Sequence, residues 1–110
     1  MKTKFHIEDC KGKSFHGFRI NGFHLNFSNG NSISTIWGTG TYTENYDLDL
    51  DKHFIDQFNE PLTSDTVEIM FSCPKKLKDK ILDKYNEGKQ DPIGHLPIGE
   101  WLEIIGLLSK

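Results

Sequence analysis

An α+β fold, with an antiparallel sheet of about four to five strands from the N-terminal two-thirds packed by two C-terminal helices, is the architecture this sequence predicts. Three observations predict it. Apolar residues alternate with polar ones through most of the first two-thirds of the chain. An Asn-Gly pair separates two such stretches. After Pro74 the apolar spacing changes to that of a helix.

Phe5 and Ile7 form the first alternating pair, and Lys11-Gly12-Lys13 supplies a turn toward a second strand near Phe15 to Ile20, which Gly17 weakens. Asn29-Gly30 then divides Phe23–Phe27 from Ser32–Trp37, the pattern of a hairpin. A two-residue turn would oppose Phe27 to Ser32 and Leu25 to Ser34, setting apolar against polar. A three-residue loop, Ser28-Asn29-Gly30 with Gly30 left-handed, opposes Leu25 to Ile33 and Phe23 to Thr35 and puts Trp37 on the same side. The second register makes the better core.

Gly38-Thr39-Gly40-Thr41-Tyr42 reads as a glycine-punctuated strand or bulge, followed by an acidic stretch from Glu44 to Asp51 and an apolar piece, Phe54-Ile55 and Phe58, that Pro61 ends. Val67, Ile69, Phe71 and Cys73 alternate with Glu68, Met70 and Ser72 and predict a central or near-central strand with a greasy face. Pro74 opens a helix whose stripe, Leu77, Ile81 and Tyr85, stops at Gly88. Pro92 and Pro97 bracket an extended link, and Trp101, Leu102, Ile104, Ile105 and Leu108 form the apolar stripe of a final helix.

The 110 residues, 35% hydrophobic and 12% aromatic, suit a single domain, 1–110, with one modest core. No apolar run reaches the roughly 20 residues of a membrane span, and the first residues lack a secretory pattern, so the expected location is the cytoplasm. Cys10 and Cys73 stand apart and read as reduced structural thiols.

A net charge of −3 conceals segregation. Residues 1–24 carry five basic against two acidic residues, 44–68 one against eight, and 75–89 six against three. Blocks of opposite sign steer partners. Lys76, Lys80 and Lys84 form one ridge of the first helix, beside a second ridge of Asp79, Asp83 and Glu87.

The segment Phe27-Ser28-Asn29-Gly30-Asn31-Ser32-Ile33-Ser34, followed by Gly38-Thr39-Gly40-Thr41-Tyr42 and Asn45, resembles a pattern in small phage and prophage proteins of unassigned function. Val67-Glu68-Ile69 is similar to their acidic-apolar strand, and Ile93-Gly94-His95-Leu96-Pro97 into Glu100-Trp101 to their link into a final helix. The resemblance implies a mobile-element accessory protein that binds host machinery, including CRISPR effectors and other defence nucleases.

The leading expectation is therefore a non-enzymatic, anti-CRISPR-like inhibitor. Its partner-binding residues would be Glu44, Asp47, Asp49 and Asp51, facing a basic nucleic-acid-handling surface, with Lys76, Lys80 and Lys84 as the opposite pole. A second expectation is an RNA-binding domain using Lys2, Lys4, Lys11, Lys13 and Arg19 among the N-terminal aromatics. A third is a divalent-metal hydrolase built on Asp47, Asp49, Asp51 and His53, although Lys52 and Phe58 stand where a calcium loop needs Gly and Glu. Gly38-x-Gly40 lacks the third glycine and the strand-to-helix context of a nucleotide loop, and the histidines lack ligand spacing, so neither a cofactor nor a metal is expected.

Overall fold

A computed structural model describes residues 5–9, 20–46 and 63–110. Five strands lie in sequence order across one antiparallel sheet: β1 (Phe5–Asp9), β2 (Ile20–Phe27), β3 (Ser32–Gly38), β4 (Thr66–Ser72) and β5 (Ile93–Pro97). Helix α1 (Lys75–Tyr85) connects β4 to β5, and α2 (Ile98–Leu108) follows β5. The predicted turn at Lys11–Lys13, the second strand near Phe15 to Ile20 up to residue 19, and the apolar piece at Phe54–Phe58 lie outside the described residues. Ile20 belongs to β2, which runs unbroken through the Phe23–Phe27 stretch.

The hairpin adopts the three-residue loop. Leu25 pairs with Ile33 and Phe23 with Thr35. The Phe27 amide donates to the Asn31 carbonyl at 2.8 Å, the Gly30 amide donates to the Phe27 carbonyl at 3.0 Å, and Gly30 has φ 92°. That backbone conformation costs glycine little and a branched residue much. The register aligns Leu25, Phe27, Ile33, Ile69 and Phe71 on one face, where α1 adds Ile81 and Leu82, and α2 adds Ile104 and Leu108, in one core cluster. On the other face His24 bonds Ser34 Oγ (2.7 Å) and Asn26 Oδ1 (3.1 Å) through its two ring nitrogens.

Three expectations change in detail. Gly38-Thr39-Gly40-Thr41-Tyr42 is not a strand: β3 stops at Gly38, and residues 39–46 wind through consecutive turns. Gly38 and Gly40 both have positive φ, and the Thr41 hydroxyl donates to the Gly38 carbonyl (2.6 Å) while pairing with Thr43 Oγ1 (2.7 Å). Side-chain hydroxyls here replace ladder bonds. The extended link is a strand, β5, pairing Val67 with Leu96 and Ile69 with Ile93 around an irregularity in register. Leu102, read as part of the buried stripe of the last helix, is 57% exposed, because α2 rests on the sheet through Ile104 and Leu108.

The asparagines of the hairpin do more than turn the chain. Asn31 Nδ2, in a buried side chain, donates to the Leu108 carbonyl at 2.9 Å, and Asn29 Nδ2 donates to the Leu108 and Lys110 carbonyls at 2.8 and 2.7 Å. They satisfy carbonyls that the end of α2 leaves without helical partners. Asn31→Ala should lower stability by about 1–2 kcal/mol through the lost bond to a buried carbonyl. Urea unfolding measures it, and an unchanged midpoint would show that this tie carries no stability.

Candidate binding site

Three features of the described surface present chemistry to a partner. The first is a cavity of about 290 Å³ at the end of the sheet beside the start of α2. Phe23 sits edge-on to both Trp37 (centroids 6.2 Å) and Trp101 (5.8 Å), and Val67 and Ile98 complete an apolar lining. Trp101 Nε1 donates to Thr35 Oγ1 at 2.9 Å, which fixes the indole and explains how a threonine is tolerated in the core.

The second is the outer face of α1. Its apolar side, Leu77, Ile81, Leu82 and Tyr85, turns inward and leaves five lysines around the remainder. Two of these serve the fold. Lys75 pairs with Asp79 at 2.9 Å, and that bond raises its pKa, though both groups are exposed. Lys78 contacts Asp91 at 2.5 Å, donates to the Phe71 carbonyl at 2.7 Å and lies over the Phe71 ring. Lys76, Lys80 and Lys84 are exposed, as Lys75 is, but outside its ion pair. Lys84 lies 5.3 Å from the Tyr85 ring centre, and among the described residues neither Lys76 nor Lys80 forms an ion pair.

The third is the turn after β3. Tyr42 and Tyr46 stand with rings parallel within 6° and centroids 6.2 Å apart, 53% and 48% exposed. Glu68 Oε1 accepts the Tyr42 amide at 2.8 Å, and Glu44 Oε1 accepts the Asp65 amide at 2.6 Å. The Glu44 amide in turn donates to Thr66 Oγ1 at 2.9 Å. The Tyr42 carbonyl receives the amide of His95, a residue held at φ 50°. Gly94 lets the turn approach β5: a Cβ there would lie 2.5 Å from Tyr42 Cβ. These bonds tie the turn that carries both tyrosines to the Glu44 and Glu68 carboxylates and to the backbone of Asp65.

Of the predicted docking residues, Glu44 is exposed at this third feature, and Lys76, Lys80 and Lys84 are exposed on α1. Asp47, Asp49, Asp51 and His53 lie outside the described residues, as do Lys2, Lys4, Lys11, Lys13 and Arg19. Among the described residues no three His, Cys, Asp or Glu side chains gather as metal ligands would, and no helix is long and apolar enough to cross a membrane. Cys73 is half-buried; burial pushes its thiol pKa up, Lys78 pulls it down and Asp91 adds to the rise. At neutral pH it is a thiol rather than a nucleophilic thiolate.

No family model, curated protein or solved structure matches this chain.

The tyrosine pair and the aromatic cavity escaped the sequence reading. Both depend on residues far apart in the chain, Tyr42 with Glu68 and Phe23 with Trp101, and strand alternation reports one face of one strand at a time.

Proposed function

We propose that this protein acts non-enzymatically, by docking on another protein, as a mobile-element accessory protein that inhibits a nucleic-acid-guided defence nuclease of its host. The observation that carries the docking reading is the ridge of α1. Lys76, Lys80 and Lys84 recur at four-residue spacing on an exposed face whose other lysines, Lys75 and Lys78, are held by Asp79 and Asp91. Among the described residues Lys76 and Lys80 form no ion pair and Lys84 only lies over the Tyr85 ring, so their charge is available to a partner. The sequence of segment 44–68, with one basic against eight acidic residues, is of the opposite sign, and Glu44, Asp65 and Glu68 are its described acidic members. Its sign complements a surface that ordinarily holds nucleic acid, and such complementarity accelerates association and excludes wrong partners.

The test is capture of the partner from nuclease-treated host lysate by the tagged full chain and by the K76E/K80E/K84E variant. Three rim charges worth a fraction of a kcal/mol each, inverted rather than deleted, should weaken capture by about tenfold or more while leaving the melting temperature nearly unchanged. Equal capture by both proteins would refute the lysine pole. Capture that disappears on nuclease treatment, with affinity falling steeply as salt rises, would instead establish RNA binding.

A further inference from the structure

We propose that the turn carrying Tyr42 and Tyr46 is a receptor for an arginine side chain presented by a basic segment of the partner protein. The proposal deepens the docking reading and rests on it only for the partner being a protein. The first ground is the geometry of the ring pair. Tyrosine rings ordinarily bury at least one face, yet Tyr42 and Tyr46, parallel within 6°, are 53% and 48% exposed on a turn tied down at both ends. Their placement is built. Tyr42 is fixed through its amide to Glu68 and through its carbonyl to His95, and the Tyr46 amide donates to the Thr43 carbonyl at 3.1 Å. Parallel rings, each about half exposed on an anchored backbone, offer a face on which a flat cation can stack.

The second ground is charge, which selects the occupant. A stacked pair alone would accept a nucleobase, a sugar face or a guanidinium. Here the carboxylates of Glu44 and Glu68 are held to the turn that carries the rings, Glu68 by the Tyr42 amide and Glu44 by the Asp65 amide. Phosphate beside these carboxylates is repelled, which disfavours a nucleic-acid strand. A cation is attracted by the same groups and by the ring faces. Glu44 and Glu68 each commit Oε1 to a backbone amide, and among the described residues each Oε2 has no partner. A carboxylate anchored on the same turn as two exposed aromatic rings suits guanidinium, which stacks on a ring while donating in its own plane, better than a spherical ammonium.

The experiment titrates three short capped peptides, Gly-Arg-Gly, Gly-Lys-Gly and Gly-citrulline-Gly, into the isotope-labelled full chain and follows amide shifts. The arginine peptide should bind with a dissociation constant in the millimolar range, shifting residues 42–46, 65 and 68. The lysine peptide should bind about threefold or more weakly, and the citrulline peptide, which keeps the shape without the charge, should not saturate. Tyr46→Ala and Glu68→Gln should each reduce the arginine response severalfold. Glu68→Gln keeps an acceptor oxygen for the Tyr42 amide, so its loss of binding reports charge rather than a collapsed turn. Equal binding of lysine and arginine, shifts elsewhere on the surface, or preferential binding of an octameric uridine RNA to this turn would overturn the proposal. The readout uses no host partner: arginine binding with unaltered capture by K76E/K80E/K84E would fail the lysine pole alone, and the converse would fail this site alone.

Discussion

Ile33→Ala is expected to lower the stability of the protein by about 3–4 kcal/mol, and the adjacent Ser34→Ala by no more than about 1 kcal/mol. Ile33 has no exposed surface and pairs across the sheet with Leu25 on one side and Phe71 on the other. Truncating it removes three carbons and leaves a cavity that flanking strands, hydrogen-bonded on both sides, cannot collapse to fill. Ser34 points to the opposite face, where its hydroxyl bonds the His24 ring at 2.7 Å. In thermal unfolding the first variant should melt roughly 12–16 °C lower, given about 4 °C per kcal/mol at this size. Because side chains alternate with a period of two, a register displaced by one residue would exchange the two outcomes. Comparable losses in both variants would therefore refute the assignment of faces.

That register could be read from the sequence because everything that sets it is local. Asn29-Gly30 fixes where the chain reverses, and only one loop length places Leu25 opposite Ile33. Helix α1 was legible for a similar reason, since Leu77, Ile81 and Tyr85 repeat with the helical period behind Pro74. Legibility ended where long-range pairing overrides local preference. Gly94, His95 and Pro97 are poor strand residues, yet β5 forms because β4 offers it a ladder and Gly94 admits the Tyr42 turn. Leu102 looked buried because the apolar stripe of α2 is wider than the sheet surface that receives it.

The candidate site divides in the same way. Exposure of Lys76, Lys80 and Lys84 follows from their position opposite the apolar stripe, so their ridge was visible in advance. Five lysines on one helix carry no mark, however, of which are reserved for the fold. Tyr42 and Tyr46 likewise acquire meaning only when β4 brings Asp65 and Glu68 beside a turn more than twenty residues earlier in the chain.

Lys78 and Asp91 provide the second large effect. Their side chains are 26% and 15% exposed, they meet at 2.5 Å, and the lysine also caps the Phe71 carbonyl at the end of β4. The pair thus joins the exit of β4, the first turns of α1 and the approach to β5. Asp91→Ala should cost about 2–3 kcal/mol, somewhat less than for a fully buried pair, because it leaves a largely desolvated ammonium without its counter-charge. Lys78→Met should cost a similar amount, since it strands the Asp91 carboxylate, whose Oδ1 already has no partner among the described residues. The double variant K78M/D91A should then be more stable than the sum of the single losses implies, by about 1–2 kcal/mol, because neither charge is left alone. It should not regain wild-type stability, because the Phe71 carbonyl still lacks its donor. Additive losses in denaturant unfolding would mean that the two side chains act independently and that the contact does not hold α1 in place. Little change between low and high salt is expected for the coupling, since a pair this sheltered is screened less than the exposed Lys75–Asp79 bridge.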